Sequence, residues 1–267
     1  MITKVFSKKN RALLSELVRT DFKLRYQGSV LGYAWSLLRP LLLFLILYIV
    51  FVKFLKIGKG VEHYPIYLLL GIVLWNFFAE MTSISLTSIV ARGDLIRKIR
   101  IPRWIIVLSS SVTALINLAL NLIIVFVFLL FNHVDIMRSI LMLPLILIQL
   151  YMFAVGVSLI LATAFVKYRD ITHIWEVSLQ GLFYITPILY PLTIITKPLY
   201  QKILITNPIA TALQDARYAV VSHSTPTITS IFSNNWARII PYAITLLVLV
   251  LGVLYFKKEA KNFAEDL

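Results

Sequence analysis

Long apolar segments separated by short charged ones make up most of the chain. A transmembrane helix needs about 20 consecutive apolar residues, whereas the strands of a membrane barrel alternate over about 10. Apolar segments of the helical length cover residues 37–55, 64–90, 104–131, 140–166, 171–190 and 239–256. The pattern predicts an all-α integral membrane protein with six transmembrane helices.

The residues before the first span have the period of an amphipathic helix. From Asn10 onward, Leu14, Val18 and Phe22 fall on one stripe, and charged residues such as Arg19 fall on the other. A helix with one apolar face and one basic face lies in the plane of the membrane interface. We therefore predict an N-terminal amphipathic helix on the inner surface of the membrane.

The stretch from Arg25 to Pro40 joins this helix to the first span and is half polar. Its aromatic residues suit the membrane interface, where one side of the ring is wet. Gly28 and Gly32 are four residues apart, so on a helix they would form a smooth stripe for the close approach of another backbone. Pro40 is expected in the first turn of the first span, where proline is tolerated.

The segment 191–238 is too apolar for a solvated loop, and Pro198, Pro208 and Pro226 interrupt it. No uninterrupted piece of it reaches the length of about 20 apolar residues that a span needs. The pattern predicts two short re-entrant helices that dip into the outer leaflet, followed by an outer surface loop over residues 222–235. Such broken backbone at membrane depth requires surrounding protein or a water-filled cavity.

The loop between the second and third spans, residues 92–103, carries five of the chain's 26 Lys and Arg residues. With six spans both termini share a side, and that side would carry 18 of these residues against 8 on the other. Short basic loops stay in the cytoplasm. The sequence therefore predicts a multi-pass protein of the cytoplasmic (inner) membrane with both termini cytoplasmic.

Composition agrees with this class of protein. Hydrophobic residues make up 60% of the 267 positions and charged residues 14%, whereas soluble domains average about 45–50% and about 25%. The basic residues come in short pieces between spans. The net charge of +14 is therefore attributed to cytoplasmic loops and anionic membrane lipids rather than to nucleic-acid binding. The absence of cysteine excludes disulfides and thiolate metal sites.

No motif for catalysis is visible in the sequence. A GxxxxGKS/T phosphate-binding loop is absent, the histidines are scattered and the acids are single, so no nucleotide or metal site is predicted. A site that the fold assembles from distant residues stays open. Glu80 and Glu176 lie within spans, where a functional role is open to a carboxylate. Pairing with the basic loops or with the amphipathic helix is the favoured interpretation.

Aromatic residues gather near span ends and in the more polar spans. They include Trp75, Phe77, Phe78, Tyr184 and Tyr190. Aromatic faces can stack on sugar rings as they do on other apolar rings, so these residues are candidates for contact with a glycan. Packing is the more common role for any single one of them.

Short motifs occur in a fixed order along the whole chain. They are Arg25-Tyr26-x-x-Ser29-x-Leu31-Gly32-x-x-Trp35 with Pro40, Leu95-Ile96-x-Lys98-x-x-Ile101-Pro102-Arg103, Tyr168-Arg169-Asp170-Ile171, Thr186-Pro187-Ile188, Asn207-Pro208 and Phe263-Ala264-Glu265. With the amphipathic helix and six spans, the chain resembles the ABC-2 type permease subunits that export polysaccharides, namely O-antigen, capsule and teichoic-acid transporters. Ile101 departs from the family pattern, in which a Phe is expected before Pro-Arg, so packing against a partner could differ there.

The resemblance implies one ABC-2 transmembrane domain over residues 1–267. Interfacial and gate helices would occupy 1–36, the six-span region 37–256 with the outer segment 191–238, and a cytoplasmic tail 257–267. It also implies a homodimer with the pore at its interface. Each protomer would bind a separate ATPase subunit that holds ATP and Mg²⁺, so no cofactor is expected in this chain.

The same resemblance assigns roles to two groups of residues. The loop 92–103 looks like the coupling helix that inserts into the ATPase, and the turn 167–170 looks like a second contact; the implied coupling residues are Arg92, Asp94, Arg97, Lys98, Arg100, Pro102, Arg103, Arg169 and Asp170. The stretch 25–36 looks like a gate helix where a lipid-linked glycan enters, and 191–222 looks like the outer gate. The expected gate and substrate-path residues are Arg25, Tyr26, Ser29, Tyr33, Trp35, Phe77, Phe78, Tyr184 and Tyr190.

The sequence thus predicts a transport subunit, not an enzyme, that exports a lipid-linked polysaccharide. Three alternatives stay open: an ABC-2 permease for a small drug or lipid, a membrane glycosyl- or acyltransferase whose basic loop binds an anionic donor, and a structural membrane protein. The lack of paired acids or an HxxxD pattern argues against the transferase. The segment 191–238 would be superfluous in a purely structural protein.

Overall fold

A computed structural model describes residues 8–58, 60–98, 102–134 and 138–263. Helices account for 82% of these residues, and the described part of the chain contains no strand. The helices are α1 (Lys8–Tyr26), α2 (Trp35–Tyr48), α3 (Tyr64–Ala91), α4 (Gly93–Lys98), α5 (Trp104–Phe131), α6 (Leu143–Lys167), α7 (Ile171–Ile185), α8 (Pro198–Thr206), α9 (Pro208–Val220), α10 (Ile228–Phe232) and α11 (Ile239–Glu259). The prediction of an all-helical chain is confirmed.

Five helical segments are long and apolar enough to cross a membrane. They are Trp35–Phe54, where α2 widens into π-helical turns, Tyr64–Ala91, Trp104–Phe131, Arg138–Lys167 and Asn235–Glu259. Each matches a predicted span to within a few residues, and α5 matches at both ends. The remaining predicted span, 171–190, corresponds to α7, which has 15 residues and ends at Ile185.

Helix α3 forms the centre of the molecule. In its most apolar stretch 72% of the residues are buried, against 11% for the segment that contains α2. Helices α5 and α6 pack along α3, and α11 packs along α6. The last pair approaches closely, because a Cβ built on Gly156 would lie 2.8 Å from the Leu249 Cα. A small residue at this crossing lets the two backbones touch, as in other membrane helix pairs.

Helix α7 runs antiparallel to α3. Near its start, the Trp175 indole donates to the Thr82 hydroxyl over 3.2 Å. Further along, the Phe183 ring lies 5.8 Å from the Trp75 ring. Beyond its end, the Leu189 carbonyl accepts a hydrogen bond from the hydroxyl of Tyr64, the first residue of α3. The chain from α7 to Leu189 therefore extends along most of the length of α3.

Two expectations for the stretch 25–40 are wrong. Gly28 and Gly32 do not share a helix. They have φ values of +78° and +49° in the turn after α1, where Gly32 begins a short 3₁₀ turn, and a Cβ on either would meet nothing within 4 Å. They serve the chain reversal, for which glycine is suited because it enters left-handed conformations without steric cost. Pro40 lies inside α2, since this helix begins at Trp35 rather than near residue 37.

The segment after α7 folds onto the rest of the protein. It contains the two short helices α8 and α9, and almost every residue of α9 is buried. The prediction of a surface loop over 222–235 is wrong in part. Ile228 in α10 is fully buried against Leu192, Ile205 and Ala237, so an apolar cluster holds this stretch in place.

Candidate functional site

The predicted coupling loop begins with the short helix α4, which connects α3 to α5. Ile96 of α4 is buried in an apolar cluster with Ile89 and Ile106 from the flanking helices. The same cluster includes residues from the end of α6, the end of α11 and the C-terminal tail: Leu159, Ala162, Val166, Phe256 and Phe263. We call these residues, with Val107, the loop-end cluster. It fixes α4 against the ends of four longer helices.

Arg92 lies at the hinge between α3 and α4 and is half-buried. One guanidinium nitrogen pairs with the Asp21 carboxylate of α1. The other donates to the Ser109 hydroxyl over 2.9 Å, and it also contacts the Ile106 carbonyl at 3.5 Å. Arg92, one of the predicted coupling residues, therefore links the amphipathic helix α1 to the start of the loop. We call the Arg92, Asp21 and Ser109 group the hinge clasp.

Three more of the predicted coupling residues, Asp94, Pro102 and Arg103, lie at the same end of the molecule. Asp94 is exposed in the first turn of α4. The Arg103 guanidinium lies 6.0 Å from the centre of the Phe263 ring, which belongs to the loop-end cluster. Pro102 is half-buried next to it. The side chains of Arg97 and Lys98, together with Arg100, lie outside the described residues.

The turn 167–170, predicted to be a second contact with the ATPase, follows Val166 of the loop-end cluster and so lies at this end. The Lys167 ammonium lies 2.6 Å from the Glu259 carboxylate of α11. The Arg169 guanidinium lies 5.2 Å from the centre of the Phe165 ring, and Asp170 is exposed at the start of α7. Loop, turn and tail therefore meet at one end of the molecule, where Ile96, Val166 and Phe263 share the loop-end cluster.

The predicted gate stretch leads from α1 into α2 along the surface. Ser29 is exposed, and its hydroxyl accepts a hydrogen bond from the Gly32 backbone N–H over 3.2 Å. Trp35 begins α2 with 43% of its side chain exposed. A short 3₁₀ turn over Gly32–Ala34 precedes it. The side chains of Arg25, Tyr26 and Tyr33 lie outside the described residues.

Proline inside α2 creates a polar contact with α5. Pro40 has no N–H to donate to the carbonyl of Ser36, four residues earlier. The side-chain amide of Asn121 donates to this carbonyl over 3.3 Å and also to the Asn117 carbonyl over 2.8 Å. The Asn121 side chain of α5 thus supplies a donor for the carbonyl that Pro40 leaves without its helical partner. This carbonyl belongs to Ser36, the residue after Trp35.

Two of the predicted path residues are packed inside the protein. Phe77 and Phe78 are 2% and 1% exposed, and Phe78 stacks on Phe153 with the ring centres 5.8 Å apart. This burial favours a packing role for both. By contrast, Tyr184 is 69% exposed, and the half-buried Tyr190 donates its hydroxyl to the Ile185 carbonyl over 2.8 Å.

Helix α7 exposes one whole face. None of its residues is buried, although Trp175, Leu179 and Phe183 are packed against the core cluster around α3. Its open face carries apolar and polar residues: Ile174, Glu176, Val177, Gln180 and Tyr184. A Cβ on Gly181 would meet nothing within 4 Å. A mixed surface of this kind suits contact with a second protein or a wet pathway better than contact with lipid.

The two span carboxylates have different partners. Glu80 accepts a hydrogen bond from the side-chain amide of Asn117 over 2.6 Å, inside the bundle between α3 and α5. Glu176 is exposed on α7, and its carboxylate lies 3.9 Å from a ring nitrogen of His173. The Asn117 contact is polar but uncharged, and the sequence pattern did not indicate it.

A fully buried arginine holds the outer segment to α3. The Arg217 guanidinium of α9 donates to the carbonyls of Tyr67, Pro187 and Ile188 over 3.1, 2.6 and 2.7 Å. It lies over the Tyr67 ring, 3.5 Å from the ring centre. Gly71 of α3 leaves the space that it fills. We call this arrangement the outer clasp.

The sequence pattern did not indicate the outer clasp, because Arg217 counted only as one of the eight basic residues on the side opposite the termini. The available signal was a single basic residue in α9, a helix made largely of small and apolar residues. Burial lowers the pKa of Arg217, but an arginine stays charged at neutral pH. Carbonyl dipoles and the Tyr67 ring therefore surround a buried cation.

Asp215, two residues before Arg217, is 7% exposed. Burial raises the pKa of its carboxyl to about 6, and the charge of Arg238 opposes this rise only in part. One of its oxygens has no hydrogen-bond donor among the described residues. A buried carboxyl with this surrounding binds a proton at mildly acidic pH.

Comparison with known proteins identifies relatives along nearly the whole chain. The sequence model of the ABC-2 type transporter family matches residues 12–221. The O-antigen export system permease protein RfbA of Klebsiella pneumoniae is 30% identical over 260 residues, which cover 96% of this chain and 95% of the relative. The protein of the same name from Myxococcus xanthus is 27% identical over 259 residues, 96% of each chain. The polysialic acid transport protein KpsM of Escherichia coli is 23% identical over 213 residues, 79% of this chain and 82% of the relative.

Proposed function

The chain belongs to the ABC-2 type transporter family, and from this premise we propose that it exports a lipid-linked polysaccharide across the cytoplasmic membrane. It is a multi-pass transport subunit and not an enzyme. The names of its relatives support a glycan of the O-antigen or capsular polysialic-acid type, and the teichoic-acid type rests on the resemblance of the sequence motifs. The observation that carries the proposal is the convergence of basic loop, charged turn and tail on the loop-end cluster, an arrangement suited to the docking of a motor subunit.

Energy comes from a separate ABC ATPase, which the family implies as a partner. This partner would hold ATP and Mg²⁺. Helix α4 and the turn at Arg169 and Asp170 supply its docking surface. Because the loop-end cluster joins α4 to the ends of α3, α5, α6 and α11, a push on α4 is transmitted to four helices at once.

A sixth crossing through α7 puts both termini in the cytoplasm. Lys167 pairs with Glu259, so α6 and α11 end on the same side. The Leu189 carbonyl bonds to Tyr64 at the opposite end of α3. Helix α7 has 15 residues and is therefore about 22 Å long. Together with residues 186–190 it extends over most of a hydrocarbon core of about 30 Å.

The glycan path runs along a homodimer interface. The open faces of α7 and α2 are the surfaces that a second copy would cover, with the mixed face of α7 toward the path. Trp35 at the cytoplasmic mouth and Tyr184 on α7 are exposed aromatic residues that can stack on sugar rings. Arg25, Tyr26, Ser29 and Tyr33 would complete the entry side.

The outer segment would close the far end of the path as a re-entrant gate. Its helices α8 and α9 are short and lie against the protein, which is the condition for broken backbone at membrane depth. The outer clasp anchors α9 to α3. Tyr190 lies where the chain passes from α7 into this segment.

Deletion of the gene in its native cell tests the proposal. Surface glycan should disappear while lipid-linked glycan accumulates inside, and a partner ATPase without its phosphate-loop lysine should give the same result. Restoration by the chain supplied on a plasmid is the control. Unchanged surface glycan, with loss of efflux of a small hydrophobic compound instead, would favour a drug or lipid permease.

A further inference from the structure

A groove of about 480 Å³ runs between the amphipathic helix α1 and the third span α5. Its lining consists of Arg11, Leu14, Ser15, Val18 and Arg19 from α1 and Val112 from α5. These residues of α1 follow each other at helical spacing and lie where the apolar stripe of the helix meets its basic stripe. Arg11 and Arg19 are two helical repeats apart, about 12 Å along the axis. The groove thus has a basic residue toward each end and an apolar floor.

The hinge clasp bounds this groove on one side. Asp21 is bound to Arg92, and Arg92 donates to Ser109 of α5, one turn before Val112. The part of α1 around Asp21 is therefore fixed to α5, while the preceding residues 11–19 border the groove. What fills the groove would complete the attachment of α1 to the bundle.

The apolar floor lies at the depth of lipid chains. Val112 follows Trp104, the first residue of α5, by about 12 Å along the helix axis. An amphipathic helix in the interface buries its apolar face by about 5–10 Å. Leu14, Val18 and Val112 therefore lie where acyl chains begin, whereas the exposed Arg11 and Arg19 remain at headgroup level.

Charge further defines the occupant. Helix α1 carries six basic residues and two acidic ones, Glu16 and Asp21, and Asp21 is engaged by Arg92. Guanidinium groups bind phosphate oxygens through paired hydrogen bonds. A small phosphate ion would leave the apolar floor uncovered, whereas a lipid covers both parts of the groove.

We infer that this groove binds an anionic phospholipid, with its phosphate between Arg11 and Arg19 and an acyl chain over Leu14, Val18 and Val112. Its assignment to the cytoplasmic leaflet rests on the topology proposed above, but binding itself does not depend on the transported substrate. The bound lipid joins α1 to α5 next to the hinge clasp. It thereby stabilises the start of the coupling loop from the membrane side.

Native mass spectrometry of the purified complex with its ATPase measures this binding. The probes are phosphatidylglycerol and phosphatidylcholine, each titrated against wild type and against R11Q/R19Q. A matched control is K257Q/K258Q, which removes two exposed basic residues at the same end of the protein. A second variant, V112W, fills the apolar floor and leaves every charge in place.

Wild type should retain phosphatidylglycerol in preference to phosphatidylcholine, and R11Q/R19Q should bind it about 30-fold more weakly, as expected for the loss of two basic residues near anionic lipid. V112W should weaken it as well, while K257Q/K258Q should not. Equal retention of both lipids by wild type, or an equal loss in K257Q/K258Q, would overturn the inference. So would displacement of the lipid by inorganic phosphate, or a polyprenyl phosphate that outcompetes phosphatidylglycerol, because the groove would then be a free-phosphate or substrate site.

Discussion

The side-chain amide of Asn121 donates to the backbone carbonyl of Ser36 over 3.3 Å, where Pro40 has removed the helical donor. This contact joins α5 to the start of α2, next to the exposed Trp35. A backbone carbonyl without a donor is costly inside a membrane, so proline and asparagine act as a pair.

The first prediction concerns this pair. N121L should lower the thermal stability of the purified protein, because the Ser36 carbonyl loses its donor at a cost of about 1–3 kcal/mol. In a P40A background the same change should cost less, since the introduced alanine restores the helical N–H. Thermal unfolding of the four proteins gives the interaction energy by a double-mutant cycle. N132L, at an exposed asparagine, is the control that should show no coupling with P40A; equal effects of N121L in both backgrounds would contradict the pairing.

The second prediction uses two helical glycines. Replacing glycine by alanine in a helix ordinarily gains up to about 1 kcal/mol. At Gly181, where a Cβ meets nothing within 4 Å, G181A should keep or raise the melting temperature. At Gly71 the Cβ would overlap the Arg217 guanidinium, which three carbonyls hold in place. G71A should therefore lower the melting temperature by about 4–8 °C, the effect of overpacking by roughly 2 kcal/mol.

R217M is the companion variant for the outer clasp. It removes the donor for the carbonyls of Tyr67, Pro187 and Ile188, so it should destabilise the protein by on the order of 3 kcal/mol. Proteolysis of the segment 191–238 should become faster in the same variant. The outer clasp would not anchor this segment if G71A had the melting temperature of G181A and if R217M had the stability and proteolysis rate of wild type.

The third prediction tests which way the last span crosses. The segment Asn235–Glu259 has 25 residues, enough for about 37 Å of helix. Since the chain holds no cysteine, N235C and K258C each create a single reactive thiol at an exposed position. A membrane-impermeant maleimide should label N235C in intact cells and K258C only after permeabilisation. Labelling of K258C alone in intact cells would show that the last span crosses in the opposite direction.

Much of the fold follows from the sequence because a bilayer imposes lengths. The bounds of α5, the amphipathic stripe of α1 and the basic loop all follow from counting apolar and basic positions. The apolar segment 171–190 likewise predicted a helix where α7 lies, although α7 has only 15 residues and is shorter than a span. These features depend on local sequence and on the solvent.

The pairings across the fold could not be predicted in the same way. Asp21 and Arg92 are 71 positions apart, and Tyr67 and Arg217 are 150 apart. Periodicity shows that a residue faces inward but not which residue it meets. Gly28 and Gly32 misled for a related reason, since their spacing fits a helix and their backbone forms a turn. The convergence on the loop-end cluster likewise exists only in the folded chain.

The fourth prediction compares two exposed tryptophans at opposite ends of the molecule. Trp35 is 43% exposed at the proposed cytoplasmic mouth, and Trp236 is 75% exposed at the outer end of the last span. W35A should reduce glycan export about 2- to 10-fold through lost stacking on sugar rings, with the complex still assembled. W236A should export normally. Equal export by both variants would remove Trp35 from the path.

The central claim is that α4 passes the work of an ATPase to the membrane helices. The most direct measurement is glycan export and permease-stimulated ATP hydrolysis by the reconstituted complex carrying R97E/K98E, with K257E/K258E as a control of the same charge change at the same end. We expect R97E/K98E to lose both activities and K257E/K258E to keep them. Export at the wild-type rate by R97E/K98E would contradict the coupling role of α4.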